Sequence, residues 1–276
     1  MNNFSVLSGD SRQFFIQQYL SRHNFNAYLK TNLDFNEDKC IVCSTPFSKD
    51  GTYINCDFYS AYPINTFITL LKPGQLVFGG QIPQWVIAQG KKNGVTFVDI
   101  LKDKDVVWNN AMLTAEGLLA KIIVNTDFAI SGAKALIMGF GRCGINIAKK
   151  LNSLNCSITI HDHTPEHLSQ ASSFGYDVLD YSQISEKIKD FDIIINTVPS
   201  EILSDFHMSL INNSCVLFEI ASKPYGFNKE LVKKYNLSLI TCPGLPGEYS
   251  PKSAGELIAK SIISYLERTG INGSQL

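Results

Sequence analysis

The sequence predicts an α/β protein of two Rossmann-like domains, each a parallel sheet flanked by helices, with a cleft between them bridged by two long helices. Three observations predict it. Short β-type runs alternate with segments of helical period from end to end, the pattern of parallel strands joined by crossover helices. A glycine-rich string in the second half follows a strand-like run and opens an amphipathic segment. The chain has 276 residues, 45% of them hydrophobic and 18% charged, which is more than one ordinary α/β unit and enough for two cores.

In the first half, strands are expected at 4–8 (FSVLS), 40–44 (CIVCS), 76–79 (LVFG) and 95–99 (VTFVD). An amphipathic helix follows the first of them, with Phe15, Ile16, Tyr19 and Leu20 on one side. The second half repeats the pattern at 134–138, 156–160, 192–197, 214–220 and 237–241. One long helix is expected over 111–127, with Ala115, Leu118, Leu119, Ile122, Ile123 and Thr126 at helical spacing. The other follows PKSAG, with Ala254, Leu257, Ile258, Ser261, Ile262, Tyr265 and Leu266 along one stripe. The expected division is 1–128 plus 248–276 as a flavodoxin-like substrate domain, and 129–247 as the NAD(P)-binding domain.

Composition removes several function classes. A net charge of −1 offers no electrostatic footprint for nucleic acid or an anionic membrane surface. The opening MNNFSVLSGDSR has no basic stretch followed by an apolar run, so no signal peptide is expected. No apolar stretch approaches the ~20 residues that span a bilayer. A soluble, cytoplasmic protein is the expectation. The seven cysteines are odd in number and sit mostly in apolar runs. Cys40 and Cys43 form a C-x-x-C string, but positions i and i+3 of a strand point to opposite faces. Buried, reduced thiols and no metal site are therefore expected.

The sharpest signal is KALIMGFGRCGINIAKKL, in which Gly139, Gly141 and Gly144 form G-x-G-x-x-G. Gly139 permits the tight strand-to-helix turn, Gly141 lets a pyrophosphate approach the backbone, and Gly144 lets the helix lie close to the strand. Phe140, Arg142 and Cys143 complete the loop, whose free N–H groups face the phosphates. Asp162 lies about twenty residues further on, where an acid accepts from the ribose 2′-OH of NAD and repels the 2′-phosphate of NADP. His161, His163 and His167 would soften that repulsion if protonated, so NAD and NADP both stay open. Asn196, Thr197, Val198 and Pro199 fall at one carboxyl strand end, and Ala221, Ser222 and Pro224 at the next, where ligands sit in open α/β sheets.

Four segments, GDSRQ (9–13), NNAMLTAEG (109–117) leading into NTDFAISG, the GFGRCG loop, and CPGLPGEYSPKSAG (242–255), carry a resemblance over nearly the whole chain. The chain resembles the A subunits of dipicolinate synthase from spore-forming bacteria, and its two-domain plan is similar to alanine and D-2-hydroxyacid dehydrogenases. The resemblance implies oxidation of a dihydro or hydroxy-tetrahydro form of pyridine-2,6-dicarboxylate to dipicolinate with reduction of NADP or NAD. It also implies a partner, a flavoprotein-like B subunit, together with a role in spore formation; a homo-oligomer is open.

A dicarboxylate needs cationic or N–H partners. Arg12, just past the first strand, suits a bidentate carboxylate contact. Lys252 opens the final helix beside Ser250 and Ser253, at a helix N-terminus that itself favours anions. Gly244 and Gly247 would let that loop approach a ligand closely. Lys252 and Asp10 are the candidate catalytic residues, although Asp10 serves equally as base or as partner of Arg12. Gly80 and Thr114 are candidate substrate-lining residues, and Glu116 suits the first turn of its helix. No histidine occupies an obvious substrate position, which fits a reaction driven by aromatisation. The competing readings are another hydroxy- or amino-acid dehydrogenase, a nicotinamide-sensing module without chemistry, and an accessory subunit competent only with its partner.

Overall fold

The structure, a computed structural model, describes residues 3–35, 38–58 and 61–270. The chain divides into two compact units, Met1–Asn110 with Pro246–Leu276, and Ala111–Leu245.

In the first unit, β1 (Asn3–Leu7), β2 (Asn26–Lys30), β3 (Cys40–Val42), β4 (Leu76–Gly79) and β5 (Thr96–Asp99) form one parallel sheet in the order β2-β1-β3-β4-β5. Helices α1 (Arg12–Arg22), α2 (Ile64–Thr69) and α3 (Gln84–Lys92) make the crossovers. A parallel sheet is covered on both faces, so its inner strands read as unbroken apolar runs. One face packs Leu7, Ile41, Cys43 and Val77 on Phe47 and Phe67; the other packs Phe4, Val6, Cys40, Val42 and Phe78 on Ile16 and Leu20. Cys40 and Cys43 thus join opposite cores, and burial pushes the Cys40 thiol up to about 12. No strand is expected from the sequence at NAYLK, which is β2. Its side chains are mostly exposed or half-buried, and it is held on the sheet by its ladder to β1 and by Asn26 Nδ2 donating to Asn3 Oδ1 at 2.8 Å.

The long helix α4 spans Lys104–Asn125 and begins earlier than expected, after Asp103 Oδ1 accepts from the Asp105 N–H at 3.0 Å. Glu116 is consequently in mid-helix rather than in a first turn, and accepts from Lys150 Nζ at 2.8 Å. The division falls before Ala111 rather than after 128, because Ala115, Leu118 and Ile122 pack into the core of the second unit.

In the second unit, β6 (Lys134–Met138), β7 (Ser157–His161), β8 (Asp177–Val178), β9 (Ile193–Asn196), β10 (Val216–Glu219) and β11 (Ser238–Thr241) are all parallel, in the order β11-β10-β9-β6-β7-β8. Counted from β6, this is the doubly wound 3-2-1-4-5-6 arrangement. Helices α5 (Arg142–Asn152), α6 (Pro165–Ser173), α7 (Ile184–Lys187), α8 (Asp205–Leu210) and α9 (Lys229–Lys234) cover it. Ala135, Ile137, Ile193 and Ile195 face Ile147 and Ala148 of α5, while Leu136, Met138, Ile194 and Leu217 face the other way.

The chain ends with α10 (Leu245–Tyr249) and α11 (Pro251–Arg268), and α11 buries Ile258, Ile262 and Leu266 in the core of the first unit. Gly255 is the point of closest approach to α1: a β-carbon there would lie 2.7 Å from the Arg12 carbonyl oxygen and 2.8 Å from Phe15 Cβ. In an open helix, Gly→Ala gains about 1 kcal/mol of propensity. Against a backbone oxygen that cannot move, the overpacking term of about 1–3 kcal/mol wins. Gly255→Ala is therefore expected to lower the midpoint of urea unfolding; an unchanged or raised midpoint would show that α1 and α11 are not in this contact.

Candidate functional site

The strand order of the second unit reverses between β6 and β9, and open α/β sheets bind ligands at the carboxyl ends of strands at such a point. The glycine-rich turn after β6 lies there. Gly139 has φ +96°, a conformation that a side chain disfavours, and a β-carbon would lie 2.7 Å from Val198 Cγ2. A β-carbon at Gly144 would collide with the Gly139 carbonyl oxygen. Gly141, the residue from which α5 starts, is different: a β-carbon there meets nothing within 4 Å. The first and third glycines are required by the protein's own packing, whereas the second leaves open space beside free helix N–H groups. That combination fits the pyrophosphate of a dinucleotide. Arg142 is exposed, Cys143 is half-buried with its thiol raised by burial, and Phe140 is wholly buried.

Asp162 closes the loop from the β7 side. It is 8% exposed, and its carboxylate accepts from the Phe140 N–H at 2.7 Å, the Thr164 N–H at 2.9 Å and His167 Nδ1 at 3.0 Å. Burial pushes its pKa up, but these hydrogen bonds outweigh burial and hold it below the ordinary 3.8. The sequence assigns Asp162 to a ribose; its structural task of tying the glycine-rich turn to β7 is not visible there. Asp162 also lines a cavity of about 600 Å³ with Gly139, His161, His163, Tyr181 and Val198, within the range of small-molecule sites. The nearby imidazoles have separate fates. His161 is buried with Nδ1 2.9 Å from the Leu179 carbonyl, His163 is exposed, and His167 pairs with Asp162.

On the β9 side, Thr197 Oγ1 donates to the Met138 carbonyl at 2.9 Å and so fastens the turn from beneath. Asn196, fully buried, donates to Glu219 Oε1 at 2.8 Å and to the Val198 carbonyl at 2.8 Å. Glu219, 2% exposed, accepts in addition from the N–H groups of Ala221 at 3.1 Å, Gly226 at 2.7 Å and Phe227 at 2.9 Å. Sequence reasoning misses this carboxylate; an acid ending an otherwise apolar strand, SCVLFE, is the available signal. Ser222 and Pro199 are exposed, and Ala221 is buried. Among the described residues no group of histidine, cysteine or acidic side chains is disposed to hold a metal ion, and no helix is long and apolar enough to cross a membrane.

The first unit gathers a second set. Arg12 is 5% exposed; its Nε donates to Asp10 Oδ1 at 2.9 Å, its Nη2 donates to Asp10 Oδ2 and to the Thr45 carbonyl, and its own N–H reaches Asp10 Oδ1 at 3.0 Å. Burial raises Asp10, yet the Arg12 hydrogen bonds and charge hold it below 3.8. A carboxylate held low is a weak base near neutrality, so of its two expected roles the geometry favours partner of Arg12. Gly247 lies against the guanidinium, where a β-carbon would be 3.0 Å from Arg12 Nε. Lys252 and Ser253 are exposed in the first turn of α11, and Ser250 precedes it, half-buried. Gly80 is buried, and a β-carbon there would strike Thr45, lying 2.7 Å from its Oγ1. Thr114 is buried in α4, in the second unit.

Residues 110–241 match the family "S-adenosyl-L-homocysteine hydrolase, NAD binding domain". Over the whole length, the chain is 26% identical to the dipicolinate synthase A subunit of Bacillus subtilis, covering 95% of each. It is a relative of dipicolinate synthase A subunits. The crystal structure of the dipicolinate synthase A subunit from Bacillus halodurans superposes with a TM-score of 0.85 over 96% of this chain and 97% of that one, at 23% identity. D-lactate dehydrogenase of Escherichia coli shares the fold at 14% identity and TM-score 0.65, each chain being 98% covered. The second unit binds a nicotinamide dinucleotide, and the chain as a whole has the fold of a dehydrogenase.

Two outcomes follow from this geometry. Gly141→Ala is expected to leave the unfolding midpoint unchanged and to weaken NAD binding about tenfold or more by fluorescence titration, whereas Gly144→Ala lowers the midpoint itself. Equal effects of the two substitutions on stability would contradict the separation of roles. Asp162 contributes stability that is present above 3.8 and lost as pH falls through its lower folded value. The difference in urea midpoint between wild type and Asp162→Asn is expected to be full at about pH 5 and to close below about 3.8.

Proposed function

We propose that this chain oxidises a dihydro form of pyridine-2,6-dicarboxylate, formed by loss of water from the hydroxy-tetrahydro compound, to the aromatic dicarboxylate. The observation that carries the reading is that likeness to a dipicolinate synthase A subunit covers 95% of both chains, and so includes the first unit as well as the dinucleotide-binding one. A nicotinamide dinucleotide, when bound, supplies the hydride acceptor. The second unit's Gly139–Gly144 turn and Asp162 hold that cofactor, and the negative charge of Asp162 favours NAD over NADP.

The chain's own residues bind and orient. Arg12 presents a planar fork suited to a carboxylate. Lys252, exposed at the start of α11, and the hydroxyls of Ser250 and Ser253 beside it supply a second cationic and hydrogen-bonding edge at a helix N-terminus. Loss of hydride and a proton from the ring creates aromaticity, so no strong base is demanded. Of the five histidines, His23 ends α1 and the other four lie in the second unit. The partner supported by this reading is the flavoprotein-like B subunit, and the compartment is the cytoplasm, during spore formation.

The test mixes purified chain with freshly generated hydroxy-tetrahydrodipicolinate and NAD or NADP, with and without the B subunit. Growth of reduced-nicotinamide absorbance together with the ultraviolet bands of dipicolinate is the expected result. Silence only when the B subunit is omitted would give this chain an accessory role; silence throughout, with cofactor still bound, would overturn the substrate. Lys252→Ala is expected to lower kcat/KM about tenfold, the scale of one charge-assisted contact, with an unchanged unfolding midpoint because the side chain is exposed. Full activity in that variant removes Lys252 from the site.

A further inference from the structure

Four donors of the second unit end on one buried side chain. Glu219 closes β10 and is paired in register with Asn196, the last residue of β9. Its Oε1 accepts from Asn196 Nδ2 and the Ala221 N–H, and its Oε2 accepts from the N–H groups of Gly226 and Phe227. The segment held in this way does not follow a relaxed course. Tyr225 has φ +71°, in the left-handed region that a bulky side chain disfavours, and the next two residues are the ones whose N–H groups end on Glu219. A β-carbon at Gly226 would strike Asn196 Nδ2. The backbone here is imposed by its anchors against local preference, and strain of this kind clusters at ligand sites.

Asn196 carries the anchoring on to the phosphate turn. Its Nδ2 also donates to the Val198 carbonyl at 2.8 Å, and its Oδ1 accepts from the Val198 N–H at 3.2 Å. Val198 Cγ2 in turn lies where a β-carbon of Gly139 would meet it. The ends of β9 and β10 are thus joined, contact by contact, to the turn that suits a pyrophosphate. A dinucleotide has one nucleoside on each side of its pyrophosphate. Asp162, after β7, lies where the adenosine half is read. β9 and β10 lie on the other side of β6 from β7, which leaves their loops to the nicotinamide half.

We propose that Glu219 is a positioning residue for the nicotinamide half of the cofactor, a reading that rests on the placement of the adenosine half beside Asp162. It touches no ligand itself. It fixes the course of 221–227 and the side chain of Asn196, so that the rim receiving the nicotinamide and its ribose is formed before the cofactor arrives.

The test is calorimetric titration of the full chain with NAD and, separately, with ADP, which carries the adenosine and phosphates alone. Wild type is compared with Glu219→Gln and Asn196→Ala, each below its unfolding midpoint. In Glu219→Gln one oxygen becomes an amide nitrogen, so two of the four donors lose their acceptor whichever way the group turns. The midpoint falls whether Glu219 positions the cofactor or merely braces the strand end, so the ratio of NAD to ADP affinity decides. That ratio is expected to fall about tenfold, with ADP binding unchanged. Asn196→Ala leaves the three N–H bonds in place and is expected to lower the same ratio about threefold. An unchanged ratio with both affinities intact in Glu219→Gln, or in Asn196→Ala should the first not fold, overturns the inference and leaves the adenosine placement standing. Equal weakening of NAD and ADP overturns both, because these loops would then hold the half that the two ligands share.

Discussion

The second unit depends on one contact: the backbone of Gly144, with no side chain, lying against the carbonyl oxygen of Gly139. It sets where α5 begins and how closely that helix lies on β6. Ile147 and Ala148 can then meet Ile137 across an interface with no room for an extra carbon. Once the helix is so placed, its first N–H groups point away from the sheet beside Gly141. The neighbouring elements serve that placement: Thr197 holds the strand end beneath the turn, and Asp162 holds Phe140 from the side. The binding turn is thus a product of core packing, and is rigid for the same reason the core is.

The two units apply one topological rule with opposite electrostatics. Each sheet reverses its order once and gathers polar groups at that reversal. The second unit offers neutral donors, backbone N–H groups at the start of a helix, which require only that side chains be absent. The first unit offers a full positive charge on Arg12, which a nearly buried site tolerates only with a counterion, and Asp10 is that counterion. A neutral site is ready for an anion at no electrostatic cost in its free form. A charged one is held in its free form by the counterion it carries.

Much of this is legible in the sequence where the signal is local. The inner strands can be read to within a residue or two because a parallel sheet makes them apolar on both faces, and the glycine string announces its turn through spacing alone. Where pairing partners decide, the sequence is mute. The strand NAYLK alternates too weakly to be distinguished from a loop, and the two-residue β8 is an edge fragment with both side chains exposed. The start of α4 is read too late because the apolar period begins only well inside it, which misplaces Glu116. Asp162 is found by its distance from the glycines, but its hydrogen bond to Phe140 joins residues that only the β6–β7 pairing brings together. Ser44 and Thr45 carry no motif, and the burial of their hydroxyls without a partner among the described residues is something no sequence displays.

The Glu219 carboxylate has a consequence for how this protein can change over evolutionary time. Because one side chain secures Asn196 and three backbone N–H groups of the following segment, the loops after β9 and β10 are inherited as a single module. An insertion or deletion in 221–227 must still deliver those N–H groups to the same two oxygens, or it loosens Asn196 and the Val198 carbonyl along with it. Drift in this region is thereby channelled into side-chain replacements at exposed positions such as Ser222, Lys223 and Pro224, while the course of the backbone stays fixed.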